Sequence, residues 1–284
     1  DARLVRKEEM REQGCRMAGA EAALFTPIGF GLHPLRYARG LAAAAAARGA
    51  TIHGESEVVR WEKDGARHVL HTAGGGTLSA SRVIVATNGY TGEDLHPSIA
   101  GTLLPALSSV ITTRPLTEAE RDAQGWTTQR ITSDTRNLLH YFRLLPDNRL
   151  LLGARGGVSA DPSGEAGKRE DMKRRLAMLF PAWKDVEITH FWRGFVCMAA
   201  DLVPHVGRLE DDGTVFHSLA YHGTGVAMAS WSGRAVARLA AGAAAEEVLP
   251  AIMRRPLKKF PLPALRTTYL RGAYAGFWFK DEVL

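Results

Sequence analysis

The segment from Val215 to Gly242 constrains the fold more than any other part of the chain. It begins with the strand-like run Val215–Ala220, passes through a loop with the sequence YHGTG and continues as a long helix of small residues from Val226 to Ala241. The order strand, glycine loop, helix is typical of α/β folds. Glycine lets a ligand approach the backbone, and a helix N-terminus offers unpaired N–H groups with a partial positive charge. The loop therefore suits a flat or anionic ligand, with an ordinary turn as the alternative.

Two earlier segments support the same fold class. The stretch LHPLRYARGLAAAAAARGA predicts a helix that starts at Pro34 and is capped by Gly49, and its six consecutive alanines indicate close packing on a sheet. From Thr51 the apolar period changes to two, which predicts a strand and then a small antiparallel meander. The apolar run Val83–Ala86 is typical of a strand buried on both faces of a parallel sheet.

A second block, from Leu104 onward, has a different pattern. It predicts a strand at LPALSSVITTRPL, a hairpin with the arms Asn137–Leu145 and Arg149–Ala154, a helix at Lys168–Phe180 and a closing strand at Val186–Phe195. Neighbouring strands joined by tight turns run antiparallel. The block therefore predicts an antiparallel α+β region.

The first hairpin arm places two functional candidates together. Strand alternation puts Tyr141 and Arg143 on one face and His140 and Phe142 on the other. A phenol beside a guanidinium suits an anionic or amino-acid-like substrate, whereas a cation–π or salt-bridged surface pair is the alternative. Arg155, after the second arm, is a weaker candidate of the same kind.

Charge and cysteine content exclude several classes of protein. The 36 Lys and Arg residues are interleaved with 30 Asp and Glu residues, and the densest basic stretches, 168–175 and 254–259, carry no nucleic-acid-binding signature. No apolar run approaches the length of a membrane span. Cys15 and Cys197 are too few for a disulfide framework and lack the spacing of a zinc site. We therefore expect no nucleic-acid partner, no membrane span, no metal and a reducing, cytoplasmic location.

A set of phrases in fixed order identifies a resemblance. These are the alanine-rich helix, VIVATNGY, YFRLLPDNRLLLGAR, FPAW, HFWRGF, PHVGRL and YHGTGVAMASWSGR. Together they resemble the D-amino-acid-oxidase-like (DAO) family of FAD-dependent oxidoreductases, most closely its gamma-glutamylputrescine oxidoreductase-like branch, from about Gly29 to Gly242. The resemblance implies an α/β fold in which a FAD-binding domain of the glutathione-reductase-like class contains an inserted antiparallel (α+β) substrate domain.

The resemblance also implies domain bounds. The FAD-binding domain covers 30–103 and 195–255, the substrate domain covers 104–194, and 1–29 and 256–284 form an N-terminal helical segment and a C-terminal tail.

The same resemblance implies site residues. Tyr141, Arg143 and His222 are the candidates for substrate binding and catalysis. Residues that match the family's FAD-binding positions are Val58, Ala86, Thr87, Asn88, Gly89, Gly207, His222, Gly223, Thr224, Gly225 and Val226. Each has a simpler alternative: a core valine, an Asn-Gly turn, or a loop histidine hydrogen-bonded to the backbone.

The chain departs from the family pattern in two places. Family members open with a strand and helix joined by G-x-G-x-x-G, which holds the FAD pyrophosphate, and nothing before Gly29 matches it. Because the chain starts without Met and in a helical pattern, we expect that unit upstream of Asp1. Glycine and D-amino-acid oxidases also carry an arginine that pairs with the substrate carboxylate, in a stretch where this chain has Gly194-Phe195-Val196-Cys197. Unless Arg143 or Arg155 takes over that pairing, a valine there favours a primary or secondary amine without an adjacent carboxylate.

The resemblance implies oxidation of a primary or secondary amine, or an amino-acid-like compound, to an imine by hydride transfer to the flavin N5. The alternative is a non-catalytic fragment or subunit that folds or functions only with a missing N-terminal half. The identity of the amine, the electron acceptor and the oligomeric state stay open.

Overall fold

The computed structural model describes residues 2–158 and 160–283. These residues form two compact units. The first unit takes its residues from 1–32, 107–194 and 271–284, and the second takes its residues from 33–106 and 195–270. Of the stretch 256–284, residues 256–270 belong to the second unit and residues 271–284 to the first.

Strands and helices are mixed along the chain. The strands are β1 (Arg3–Arg6), β2 (Ala22–Phe25), β3 (Val58–Asp64), β4 (Arg67–Thr72), β5 (Thr77–Ala80), β6 (Val83–Val85), β7 (Leu104–Pro115), β8 (Thr132–Ser133), β9 (His140–Leu144), β10 (Arg149–Gly157), β11 (Ile188–Met198), β12 (His205–Arg208) and β13 (Val215–Leu219). The helices are α1 (Lys7–Glu12), α2 (Pro34–Ala46), α3 (Glu118–Gln124), α4 (Glu165–Leu179), α5 (Gly225–Ala240), α6 (Ala245–Val248) and α7 (Arg266–Glu282).

The first unit is built on a sheet with the strand order β11-β7-β10-β9-β8. β7, β10, β9 and β8 pair antiparallel, so the predicted hairpin and its neighbouring strand are confirmed. One face of this sheet carries buried apolar residues that pack with α4 and with a cluster of aromatic rings. Trp126, Phe142 and Phe180 meet edge to face at centroid distances of 5.1 to 5.6 Å.

Alternation along β9 separates core from site. His140, Phe142 and Leu144 are buried, whereas Tyr141 and Arg143 are half-buried on the opposite face. The predicted division of these side chains between the two faces is confirmed.

The N-terminal segment is not the predicted helix over 1–29. β1 pairs antiparallel with β2, and only the six residues of α1 between them are helical. Val5, on β1, is buried in the core of the first unit, so burial and strand pairing override the helix propensity of this charged stretch.

The second unit contains two small sheets. In the sheet β12-β13-β6, β6 and β13 run parallel, as expected for the run Val83–Ala86. β3, β4 and β5 form the predicted antiparallel meander. The strand predicted from Thr51 begins only at Val58, because the chain turns at Gly54 and at Glu55, where φ is +49°.

Several apolar side chains of the second unit are exposed. α2 has no buried residue, so the prediction that its alanines pack on a sheet is wrong within the described chain. A hydrogen bond joins its Tyr37 Oη to Ser230 Oγ of α5 at 2.6 Å. Ile84 of β6 is also exposed, so this strand is not buried on both faces. The other exposed large apolar residues here include Leu35, Leu41, Ile52, Val59, Val226 and Trp231.

The C-terminal stretch, where the sequence shows no clear periodicity, forms the long helix α7. Leu270 is buried, while Phe277, Trp278 and Phe279 are exposed. Asp281 ties the end of the helix to the first unit by accepting hydrogen bonds from the backbone N–H groups of Asn137 and Leu138 at 2.9 and 2.8 Å. The anchor explains why a helix with few buried residues is held in place.

Across the described residues, none of the helices has the length and apolarity that a bilayer crossing requires. The same residues contain no cluster of His, Cys, Asp and Glu suited to a metal ion.

Candidate functional site

In the second unit, the ends of two parallel strands meet at one edge of the sheet. β6 leads into Ala86–Gly89 and β13 leads into Ala220–Gly225, and ligands of α/β proteins bind beside such carboxyl ends. Asn88 joins the two segments, because its Oδ1 accepts a hydrogen bond from the N–H of Ala220 at 2.9 Å. Asn88 has a φ of +49°, a conformation that asparagine tolerates better than most residues.

The loop after β13 is held in an unusual backbone shape. Ala220, His222 and Gly223 have φ values of +63°, +55° and +100°. The left-handed region costs glycine little, but it costs alanine and histidine of the order of 1 kcal/mol. Such strain persists where surrounding contacts impose it, and it is concentrated at functional sites.

His222 supplies two of those contacts. Its backbone N–H donates to the carbonyl of Cys197 at 3.0 Å. Its ring Nε2 accepts from the backbone N–H of Ala199 at 3.3 Å. Because Nε2 is an acceptor, the neutral ring carries its proton on Nδ1. The side chain therefore fixes the loop against the segment after β11.

The loop ends at the N-terminus of α5, which is open. Thr224 occupies the N-cap position without a side-chain cap, because its hydroxyl donates to the carbonyl of Tyr221 at 2.7 Å. Gly225 opens the helix, and Gly223, Thr224 and Val226 are exposed. A helix end with uncapped N–H groups and no bulky side chain in front attracts the electron-rich edge of a flat ligand.

The remaining predicted cofactor residues have different surroundings. Ala86 and Thr87 are exposed at the sheet edge, beside Asn88. Gly89 is buried, and a Cβ there would lie 2.7 Å from Cβ of Phe195. Gly207 faces the ring of His217, 3.3 Å from where its Cβ would be.

Val58 lies elsewhere in the second unit. It starts the meander and pairs with Thr72.

Cys197 of β11 is a buried thiol next to Gly89. A Cβ at Gly89 would lie 3.6 Å from its Cβ. Burial raises the pKa of Cys197 to about 12, and the hydrogen bond to Ala220 opposes this only in part. The side chain is therefore a neutral, apolar packing group at neutral pH.

Two buried histidines, His205 of β12 and His217 of β13, lie in the same sheet. His205 is hydrogen-bonded to Asp201, with Nε2 and Oδ1 3.0 Å apart. Burial, aided by the neighbouring charge of His205, lowers the pKa of His217 to about 4. In the part of the chain that the structure describes, neither His205 Nδ1 nor His217 Nδ1 has a hydrogen-bond partner. Sequence analysis did not single out this pair, and only the apolar neighbours of His217 in its strand hinted at burial.

In the first unit, Tyr141 and Arg143 lie on the sheet face opposite the core. Tyr141 Oη lies 2.9 Å from Ser108 Oγ on β7. The tyrosine ring covers Gly153, its partner across the strands, where any Cβ would overlap the ring. Burial raises the pKa of Tyr141, although the hydrogen bond to Ser108 and the charge of Arg155 both act against it.

Arg143 is held by the backbone of the N-terminal segment. Its Nη2 donates to the carbonyl of Leu32 at 3.1 Å, and its guanidinium fills the space where Gly31 would carry a Cβ. Among the residues that the structure describes, no carboxylate forms an ion pair with Arg143. The half-buried charge is therefore available to an anionic or carbonyl group of a ligand.

Sequence reasoning missed Ser108, Gly153, Gly31 and Leu32. The LLLG motif contains Gly153, and the hairpin turn at Pro146-Asp147-Asn148 predicts the register that places it opposite Tyr141. Ser108 and Leu32 are brought in by long-range pairing, for which the sequence carries no local signal.

Comparisons with known proteins identify similar sequences and a similar fold. The family described as FAD dependent oxidoreductase (DAO) matches residues 1–239. A probable oxidoreductase, OrdL, of Haemophilus influenzae is 35% identical over 215 residues, which are 74% of this chain and 47% of that protein. Gamma-glutamylputrescine oxidoreductase of Escherichia coli is 32% identical over 274 residues, 94% of this chain and 59% of that protein.

The fold also matches a solved structure. Glycine oxidase from Geobacillus kaustophilus superposes with a TM-score of 0.73 at 22% identity, and the match covers 92% of this chain and 68% of that one. The chain spans about half the length of the curated relatives that it matches.

Proposed function

The chain belongs to the DAO family of FAD dependent oxidoreductases, and from that premise we propose that the intact protein oxidises a primary or secondary amine, or an amino-acid-like compound, to an imine. The single observation that carries this proposal is the pairing of Tyr141 with an uncompensated Arg143 on one face of the first unit's sheet. The name of the Escherichia coli relative, gamma-glutamylputrescine oxidoreductase, supports an amine as the substrate class.

The residues of the second unit's sheet edge fit a flat cofactor. Within Ala86–Gly89 and His222–Val226, the exposed residues have small side chains or none, and the open end of α5 lies beside them; these exposed residues are Ala86, Thr87, Gly223, Thr224 and Val226. We assign these residues to FAD, with Gly89 and His222 holding the loops in shape. Val58 and Gly207 are weaker candidates for FAD binding, because Val58 lies in the meander and Gly207 makes room for His217.

FAD, when bound, supplies the two-electron acceptor for a hydride that leaves the carbon next to the amine nitrogen. The nitrogen lone pair then forms the C=N bond of the imine, so the amine must react in its neutral form. The chain's own residues bind and orient this substrate: Tyr141 contacts the amine end and Arg143 an electron-rich group further along.

His222 does not serve as the base in this proposal. Its Nε2 already accepts the N–H of Ala199, so it acts by holding the loop. The proton lost from nitrogen passes to solvent.

The substrate class can be narrowed. Val196, in the stretch where the family resemblance implies the carboxylate-binding arginine of amino-acid oxidases, offers no charge to a carboxylate beside the amine. Arg143 lies two residues from Tyr141, about 7 Å along an extended strand. This spacing favours an amine whose electron-rich group is several bonds from the nitrogen.

We propose that the protein is a cytoplasmic enzyme that acts on a small molecule and has no nucleic-acid partner. Both cysteines are free and buried, which is consistent with a reducing compartment.

The exposed apolar residues favour a second candidate. α2, Ile84 and Trp231 present apolar surface that a folded protein normally covers. The alternative function is therefore a non-catalytic module that works only when another segment or subunit covers this surface.

One experiment separates the two candidates. The intact protein is purified, its visible spectrum is recorded, and aliphatic amines are mixed with it under anaerobic conditions together with amino acids of matched length. Loss of the flavin absorbance with amines supports the proposal. A colourless protein that takes up no added FAD favours the module, and a yellow protein that no amine bleaches contradicts the substrate class.

A further inference from the structure

The hydrogen bonds around Ser108 have a direction that the geometry fixes. Ser108 Oγ lies 3.1 Å from the carbonyl oxygen of Ala154 and 2.9 Å from Tyr141 Oη. A carbonyl oxygen only accepts, so the single hydroxyl hydrogen of Ser108 goes to Ala154. The second hydrogen bond must then be donated by Tyr141 to Ser108.

This arrangement consumes the only hydrogen that Tyr141 can donate. For any further hydrogen bond, Tyr141 Oη is left with lone pairs alone. The ring cannot turn away easily, because it is packed over Gly153. Burial keeps the phenol protonated at neutral pH, which preserves the hydrogen bond to Ser108.

The charged neighbour reinforces the same polarity. Arg155 pairs across the strands with Ser108, and its charge acts on the Tyr141 hydroxyl. A guanidinium has donors and no acceptor. Arg155 therefore offers Tyr141 no alternative partner for its hydrogen.

We infer that Ser108 is a positioning residue that makes Tyr141 a hydrogen-bond acceptor toward the substrate, so that this face selects an N–H group and rejects a carboxylate at that point. The inference rests on the proposed function and deepens it, because it assigns amine recognition to one atom, Tyr141 Oη. A carboxylate oxygen facing the same lone pairs would meet repulsion without a hydrogen bond.

The test uses two probes of similar size and opposite hydrogen-bonding character, n-butylamine and butyrate. Their dissociation constants are measured by calorimetry on the intact, FAD-loaded protein. Ser108→Ala frees the Tyr141 hydrogen for donation, so the ratio of the two constants should shift toward butyrate by about tenfold. Ser108→Thr, which retains the hydroxyl, should keep the wild-type ratio.

Two further variants make the test specific. Ser109→Ala removes a hydroxyl from the next residue of the strand, on the other face, and should leave the ratio unchanged. In a Tyr141→Phe background, Ser108→Ala should add nothing, because the oxygen that it reorients is absent.

The results separate this inference from the proposed function. If amines bleach the flavin of the wild-type protein but Ser108→Ala weakens both probes equally, or neither, the inference about Ser108 is overturned and the proposed function stands. If no amine bleaches a yellow wild-type protein and neither probe binds, both fail.

Discussion

The candidate site of the second unit depends on backbone shape, whereas that of the first unit depends on side chains. At the second unit's sheet edge, the shape comes from the backbone: three positive φ angles in one loop, an asparagine bonded to a main-chain N–H, and an open helix end. On the first unit's sheet face, the chemistry comes from side chains, a phenol and a guanidinium whose supporting contacts come from distant segments.

The two sites therefore tolerate different substitutions. A backbone-shaped edge is damaged by adding atoms, because its function is close approach. A side-chain face is damaged by changing polarity or position, because its function is recognition of particular groups.

The largest effect is expected at Gly89. Gly89→Ala would place a Cβ 2.7 Å from Cβ of Phe195, so a strand must shift, at a cost of about 3 kcal/mol of unfolding free energy together with loss of bound FAD. Gly233→Ala in α5 is the control, since its Cβ meets nothing within 4 Å. That control should be neutral or stabilise by up to about 1 kcal/mol. Denaturant titration and flavin content measure both, and equal losses in the two variants would show that close backbone approach does not shape this edge.

The next effect is a pH dependence of the second unit. Because the pKa of His217 is about 4 in the folded protein and near 6.5 when unfolded, the unfolded chain takes up a proton first as pH falls. Stability from this group is complete above pH 6.5 and is lost on acidification, by about 2 kcal/mol at pH 5. His217→Gln should remove that part of the slope. Urea titrations at pH 7.5 and pH 5 measure it, and an unchanged slope in the variant would show that His217 is not the group responsible.

Gly153 of the first unit leaves room for the ring of Tyr141. Gly153→Ala would push a Cβ into the Tyr141 ring and displace it, so the rate of flavin reduction by an amine should fall by at least tenfold. FAD content should stay as in the wild type, because Gly153 is not at the cofactor edge. Rapid mixing and a flavin assay give the two numbers. Loss of FAD in proportion to activity would mean that the two sites are not separable in this way.

The smallest effect is expected at Cys197. The buried thiol, with its pKa near 12, is a packing group, so Cys197→Ser should change stability by no more than about 1 kcal/mol and leave FAD content unchanged. After acid precipitation of the wild-type protein, flavin should be in the supernatant. If the pellet is yellow in the wild type and colourless in Cys197→Ser, the flavin is instead bound covalently through a thioether to Cys197.

Local sequence patterns predicted the strands and helices whose signal lies within one short stretch of the chain. The strand, glycine loop and helix from Val215, the parallel run at Val83 and the hairpin that carries Tyr141 all follow from periodicity and turn residues. The alternation of β9 was predictable because its core residues alternate with polar ones.

The failures share one physical cause, which is long-range contact. Arg3–Arg6 is a strand because Val5 reaches a core made largely by residues after 100, and α2 is exposed because no sheet of the described chain lies against it. Ser108 could not be connected to Tyr141 without knowing the strand order β7-β10-β9. Propensity and period do not contain this information.

The most direct test of the account is Arg143→Ala in the intact protein, with Arg174→Ala, which removes an exposed arginine of α4, as the control. We predict normal FAD content in both variants and, in Arg143→Ala alone, a loss of at least tenfold in the rate at which an amine reduces the flavin. Loss of FAD together with activity in Arg143→Ala, or full activity in that variant, would contradict the assignment of this sheet face to the substrate.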